Sequence, residues 1–271
     1  IADLLGLPHG TPVSIGGGDN MMGAIGTGNV TPGRMTMSLG TSGTVYAHAG
    51  KPIVDPRGEI AGFCSSTGGW LPLLCTMNCT VSTELARNLL NADLAQFETQ
   101  IDAASVGSEG VLTLPFFSGE RTPNLPLAKG CVVGIDSHNA RPENLLRSSV
   151  EGASLALRYG IDRLAELGVT ADEIVLTGGG AKSATWRQII ADICDSTVFV
   201  STNDEGAAFG AALQALEIAS QESLESVVDA HVQRREDARC DPEPKAVRAY
   251  REVYSEYLRA VEAITPLYTT S

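Results

Sequence analysis

Three glycine-bearing stretches stand beside residues that can do chemistry. "GGGDN" sets Asp19 and Asn20 after Gly16, Gly17 and Gly18; "LGTSG" sets the hydroxyls of Thr41 and Ser42 between Gly40 and Gly43; "LTGGGAKS" carries Gly178, Gly179, Gly180, Lys182 and Ser183. Each follows an apolar run that reads as a strand, so each is a turn where backbone can approach a ligand or another segment closely. The second turn offers successive N–H groups and two hydroxyls, which are the donors a phosphate needs. The third opens a helix, whose N–H groups and dipole favour an anion or let a flat base lie against the backbone. Taken singly, each could be no more than a tight turn. None matches the GxxxxGK[ST] or GxGxxG patterns, and the lack of the latter argues against a nicotinamide-binding dehydrogenase.

Two phosphate-type turns and one acid together suggest phosphoryl transfer. In that chemistry the protein positions groups and neutralises charge, and one carboxylate accepts the proton of the attacking hydroxyl. Asp19 at a strand end fits that role. The competing reading is that Asp19 caps the helix that follows it, for which Asp is favoured. The residues alone leave both open.

The elements that must position these turns alternate between strand and helix. "TPVSIGGGD" reads as a short strand with Val13 and Ile15 inward, and "NMMGAIGTGNV" as a small-residue helix packed close to it. "MTMSLGTSGTVYAHA" alternates apolar and polar with period two on both sides of its turn, the pattern of a hairpin. A helix is expected over 82–103, and "VLTLPFF" at 111–117 reads as a buried strand running into the long loop "SGERTPNLP". Pro142 opens a helix in which Leu146, Val150, Ala153, Leu157, Ile161 and Leu164 recur at three- and four-residue spacing until Gly168. Then come the strand "EIVLTGGG", a helix over 185–194, the strand "TVFVS", a loop and helix in "NDEGAAFGAALQALEI", and a terminal helix over 247–264 with Tyr250, Tyr254 and Tyr257 on one side. The order is that of an α/β fold, in which ligands sit beyond the carboxyl ends of the strands.

Composition narrows the function classes. With 19 Lys plus Arg against 32 Asp plus Glu, the formal charge is −13, a surface that repels nucleic acid and anionic membranes. A small phosphorylated ligand stays compatible, because backbone amides hold phosphate without a basic patch. The apolar runs fall far short of a bilayer span, so no membrane partner and a cytoplasmic address are expected. The six cysteines read as thiols; Cys75 and Cys79 have a spacing that could ligate metal on a helix, but no CxxC or paired histidine accompanies them, and no metal-ligating residue is assigned. The chain opens without Met on what reads as the end of a helix, and is expected to be a piece of something longer.

"GGGDN", "SLGTSG", "SGERTP", "LTGGGAKSATWRQIIADI" and "GAAFGAAL" occur in this order, with a further pattern running from Gly130 and Gly134 through Asn144 to Ser148 and Glu151. In this the chain resembles the FGGY carbohydrate kinases over nearly its whole length. The resemblance implies an actin-like, ribonuclease-H-type α/β domain, the second of two lobes that close over ATP and a sugar, with 1–271 as that C-terminal domain and the first lobe absent. It implies Asp19 as catalytic base for the sugar's terminal hydroxyl and Asn20 beside the sugar. Gly40, Thr41, Ser42 and Gly43 would approach the terminal phosphates of ATP, and Gly178, Gly179, Gly180, Lys182 and Ser183 would border its α-phosphate and adenosine. Mg²⁺ would be held by phosphates and waters. Residues 206–212 would belong to the helix that joins the lobes. Lys182 stands where the family often has Arg, losing the planar fork but keeping the charge. By the same resemblance, the Asp-Asn pair implies a ketopentose as the acceptor, D-xylulose foremost, with ribulose, gluconate and glycerol as alternatives. The implied partners are the sugar, ATP and the missing lobe, with a homodimer compatible. A non-catalytic ATP- or sugar-binding module is the competing reading from another class, and the lone half-molecule is expected to be inactive.

Overall fold

The fold is described over residues 1–268 of a computed structural model. Its elements follow in chain order: α1 (Ala2–Leu5), α2 (Asp19–Gly26), β1 (Gly33–Leu39), β2 (Gly43–Ala47), β3 (Ala61–Cys64), β4 (Trp70–Thr76), α3 (Thr80–Leu89), α4 (Leu94–Ala103), β5 (Leu112–Leu114) and β6 (Cys131–Val133). There follow α5 (Pro142–Glu166), β7 (Ala171–Thr177), α6 (Ala184–Cys194), β8 (Thr197–Val200), α7 (Gly206–Ser220), α8 (Leu224–His231) and α9 (Pro244–Ile264). Six strands form one sheet in the order β3-β4-β2-β1-β7-β8, antiparallel from β3 to β1 and parallel from β1 to β8; β5 and β6 pair separately.

The period-two pattern of "RMTMSL" divides the sheet into an apolar face and a polar one. Met35, Met37 and Leu39 point to the side covered by α5, where they pack with Val45, Leu74, Leu146, Val150, Leu157 and Leu176. Burying each such side chain is worth about 1.5–3 kcal/mol. α5 starts on Pro142, ends before Gly168 at φ 82, and buries Leu146, Val150, Ala153, Leu157 and Leu164 as its spacing requires. Thr36 points the other way, toward α2, and its hydroxyl pairs with that of Thr27 at 2.7 Å. Asn29 donates from Nδ2 to the Tyr46 carbonyl at 2.9 Å and accepts the His48 N–H at 2.9 Å, which satisfies the buried amide on this polar face.

Two expectations are corrected. Residues 11–17 are not a strand: Val13 and Ile15 are 85% and 95% exposed, and the Gly16 N–H donates to Gln214 Oε1 at 2.9 Å. The alternation is present, but this segment pairs with neither β3 nor β8, the strands at the sheet's edges, and a strand needs a neighbour to take its backbone hydrogen bonds. The helix expected over 82–103 is two helices, because Asn91 enters the left-handed region at φ 52 and Asp93 starts α4 with a capping box to Gln96. Cys75 and Cys79 do not share a helix; Cys75 ends in β4, and Cys79 is buried just before α3, where burial pushes its thiol up to about 12. Among the described residues, no helix is long and apolar enough to cross a membrane.

Candidate functional site

Strands β1 and β7 are parallel neighbours paired from Arg34↔Glu173 to Ser38↔Thr177, so the turns that follow them leave the sheet on the same edge. Those turns touch. Gly178 sits at φ 85 and ψ 175, and a Cβ there would lie 2.8 Å from both C and O of Leu39 and 3.1 Å from the Gly40 N. Only a residue with no side chain permits that backbone conformation and that approach together.

The hairpin turn is held from beneath. The Cys79 N–H donates to the Thr41 carbonyl at 3.0 Å, and the Thr80 N–H to the Gly40 carbonyl at 2.9 Å. The Gly43 N–H is spent on Thr76 Oγ1 at 3.2 Å, and Gly43 is buried, so it is not one of the open donors that an uninterrupted run of amides would supply. Thr41 is exposed and Ser42 half-buried, and their hydroxyls have no partner among the described residues.

A cleft of about 580 Å³ opens where β7 and β8 end, bounded by Thr177, Gly178, Gly179 and Lys182 on one side and Ser201, Asn203 and Asp204 on the other. This is the place where parallel sheets hold their ligands. Its lining carries three cations, Lys182, Arg187 and Arg235, beside the carboxylates of Asp204 and Glu205, and Arg235 is paired with Asp237 at 2.8 Å. Lys182 Nζ stands 3.9 Å from Asp204 Oδ2, and both side chains are exposed, so the pair is weak and available to a ligand. Arg187 Nη1 donates to the carbonyls of Ala181 (2.9 Å) and Lys182 (3.2 Å), which fixes the turn from behind. Gly180 and Ser183 are not on the cleft wall. Gly180 is buried against the Trp186 ring, and Ser183 caps α6 by accepting the Trp186 N–H at 3.0 Å. Asn203, Asp204 and Arg235 were not singled out from the sequence; the signal for the first two was "STND" directly after a strand parallel to β7.

Gly18, not Asp19, is the N-cap of α2. Asp19 is the first helical residue, exposed, and its Oδ1 accepts the Asn20 N–H at 2.8 Å; Asn20 is half-buried. Burial, and after it the charge of Asp19, push the Tyr46 hydroxyl up; that hydroxyl lies against α2, where a Cβ on Gly23 would stand 2.7 Å from it, and Tyr46 belongs to β2, the strand that leaves the Thr41–Ser42 turn. α2 is fixed against α7 by glycine on both helices: a Cβ on Gly26 would overlap the Gly206 carbonyl, and one on Gly210 would overlap the Met22 carbonyl.

The sequence pattern of the FGGY family of carbohydrate kinases, C-terminal domain, matches residues 35–217, from β1 through α7. The chain belongs to the FGGY carbohydrate kinases. Its similarity to curated FGGY kinases includes 45% identity over 258 residues to a xylulose kinase of Haemophilus influenzae, covering 95% of this chain and 52% of that one. Among solved structures, the xylulose kinase of Bifidobacterium adolescentis is 34% identical with a TM-score of 0.75, covering 88% of this chain and 47% of that one. The xylulose kinase of Rhodospirillum rubrum is 25% identical with a TM-score of 0.89, over 98% and 54%. The chain thus spans about half the length of the FGGY relatives it matches. These neighbours bear out the actin-like α/β class expected from the motifs.

Proposed function

We propose that this chain is one lobe of a cytoplasmic kinase that moves the γ-phosphoryl group of ATP onto the terminal hydroxyl of a ketopentose, D-xylulose to D-xylulose 5-phosphate. The observation that supports it most is the contact of Gly178 with Leu39 and Gly40, which joins two donor-rich turns at one sheet edge beside a cation-bearing cleft. In this reading the cleft takes the nucleotide, with Gly178, Gly179 and Lys182 toward its inner phosphate and Thr41 and Ser42 toward its outer ones. Asn20 meets the sugar. Asp19 takes the proton of the sugar hydroxyl as its oxygen bonds to the γ-phosphorus and the bond to ADP breaks.

No group of three or more His, Cys, Asp or Glu side chains suited to a metal ion is found among the described residues. That donor set fits Mg²⁺ carried on nucleotide phosphates and water rather than in a protein cage, where it would neutralise charge on the transferring group.

In the full-length enzyme, Asp19→Asn is expected to keep nucleotide affinity and to lose sugar-dependent ADP release by about 10²–10⁴-fold. Near-normal turnover would reject the base. A panel of xylulose, ribulose, gluconate and glycerol identifies the acceptor. The chain without the other lobe is expected to give no measurable turnover in a coupled assay, and robust turnover there would contradict the two-lobe reading.

A further inference from the structure

The "SGERTP" loop contributes nothing to the cleft, yet it buries a carboxylate. Glu120 is 2% exposed and has no cation paired with it among the described residues. Burying such a group is costly unless hydrogen bonds replace its water. Glu120 has them: Oε1 accepts the backbone N–H groups of Met77 at 2.6 Å and Arg121 at 2.7 Å, and Oε2 accepts from Asn78 Nδ2 at 3.2 Å. Asn78, fully buried, also donates to the Gly119 carbonyl at 2.7 Å and accepts the Ser118 N–H at 3.0 Å. The loop itself is tied to α5, since Thr122 Oγ1 donates to the Glu59 carbonyl at 3.0 Å and Glu59 is held by Tyr159 and Arg163.

Met77 and Asn78 are the residues between Thr76, which takes the Gly43 N–H, and Cys79 and Thr80, which donate to Thr41 and Gly40. Every bond that fixes the hairpin turn from below therefore comes from the segment that Glu120 grips. A single oxygen that binds two backbone amides far apart in sequence sets distance and angle in a way a packed apolar side chain does not.

We propose that Glu120 is a positioning residue for the nucleotide: it fixes the 76–80 segment on which the Thr41–Ser42 turn rests, and so governs the phosphate end of ATP and not the sugar. This rests on the kinase reading above. In the full-length enzyme, Glu120→Gln lowers kcat/KM for ATP on the order of tenfold to a hundredfold and leaves KM for the sugar unchanged. Amide hydrogen exchange at Cys79 and Thr80 speeds up while α5 and α9 keep their protection. Thr76→Val, which removes the oxygen that binds the Gly43 N–H, gives the same ATP-side loss and decides the matter if the Gln variant does not fold. Glu151→Gln breaks a buried carboxylate bound to Gly107, Ser108, Arg147 and Tyr250, away from the turn. It lowers Tm and spares kcat/KM for ATP. The proposal is overturned if Glu120→Gln affects ATP and sugar equally, if exchange rises throughout the domain, or if ATP efficiency and exchange at Cys79 and Thr80 stay as in the wild type. A wild-type enzyme with no sugar-dependent ADP release would instead refute the kinase reading, and the exchange data alone would then decide whether Glu120 holds the turn.

Discussion

Gly178→Ala is the sharpest test of the contact between the two turns. The native residue occupies φ 85, ψ 175, a region reached essentially by glycine alone, and holding Ala there costs about 1–3 kcal/mol. The new Cβ would also meet Leu39 C and O at 2.8 Å and the Gly40 N at 3.1 Å. These are backbone atoms of β1 and its turn, so no rotamer change relieves the overlap, and crowding of this kind costs about a further 1–3 kcal/mol. The sum is roughly 2–6 kcal/mol, a large share of the 5–15 kcal/mol that holds a typical domain together. The chain can lower that cost only by parting the two turns, so nucleotide affinity falls with stability. Gly179→Ala is the internal control, because a Cβ at Gly179 meets nothing within 4 Å and should change stability by no more than about 0.5 kcal/mol. Urea denaturation followed by tryptophan emission and a nucleotide titration measure both effects. If Gly178→Ala matches Gly179→Ala in stability and keeps wild-type nucleotide affinity, the contact does not constrain the site.

Gly210→Ala should cost about 1–3 kcal/mol by crowding the Met22 carbonyl, and should also lower kcat, since it shifts the helix that starts with Asp19; a variant with normal kcat would show that the α2–α7 contact does not position the acid. Asp55→Asn tests the ionic cluster that anchors the 51–60 segment to α5. Burial acts to raise the Asp55 carboxyl, but three backbone N–H groups and Arg163 outweigh it and hold the carboxyl below its ordinary value of 3.8. A depressed folded value contributes stability that is present above pH 3.8 and is lost as pH falls through it and below. The Asn variant should lose about 1–3 kcal/mol at neutral pH and lack that acid-side fall, as urea midpoints at neutral pH and below pH 3.8 would register. Equal acid slopes in the two proteins would refute the assignment.

Local patterns were legible in the sequence because their causes are local. The alternation in "MTMSLGTSGTVYAHA" gives the β1–β2 hairpin, and the spacing from Leu146 to Leu164 between Pro142 and Gly168 gives α5. The break at Asn91 was also local, but a left-handed Asn inside an amphipathic run looks like an ordinary helical polar residue until the capping box at Asp93 is weighed with it. The unpaired, exposed segment at Val13 and Ile15 shows the limit from the other side: alternation specifies what a strand could bury, and pairing decides whether it is one.

The candidate site was legible in its donors and not in their supports. Gly178, Gly179 and Lys182 reach the cleft, whereas Gly180 and Ser183, from the same motif, serve Trp186 and the start of α6. A motif therefore mixes residues that meet a ligand with residues that hold the turn in shape, and spacing cannot separate them. The supports come from far along the chain: Glu120 reaches Met77, and Cys79 reaches Thr41, through bonds that no periodicity encodes. The consequence is physical. A phosphate-type turn is only as rigid as the backbone that its own carbonyls accept from, so in this lobe the rigidity of Thr41 and Ser42 is set by Thr76, Cys79 and Thr80, and theirs by a buried carboxylate in a loop that never touches the cleft.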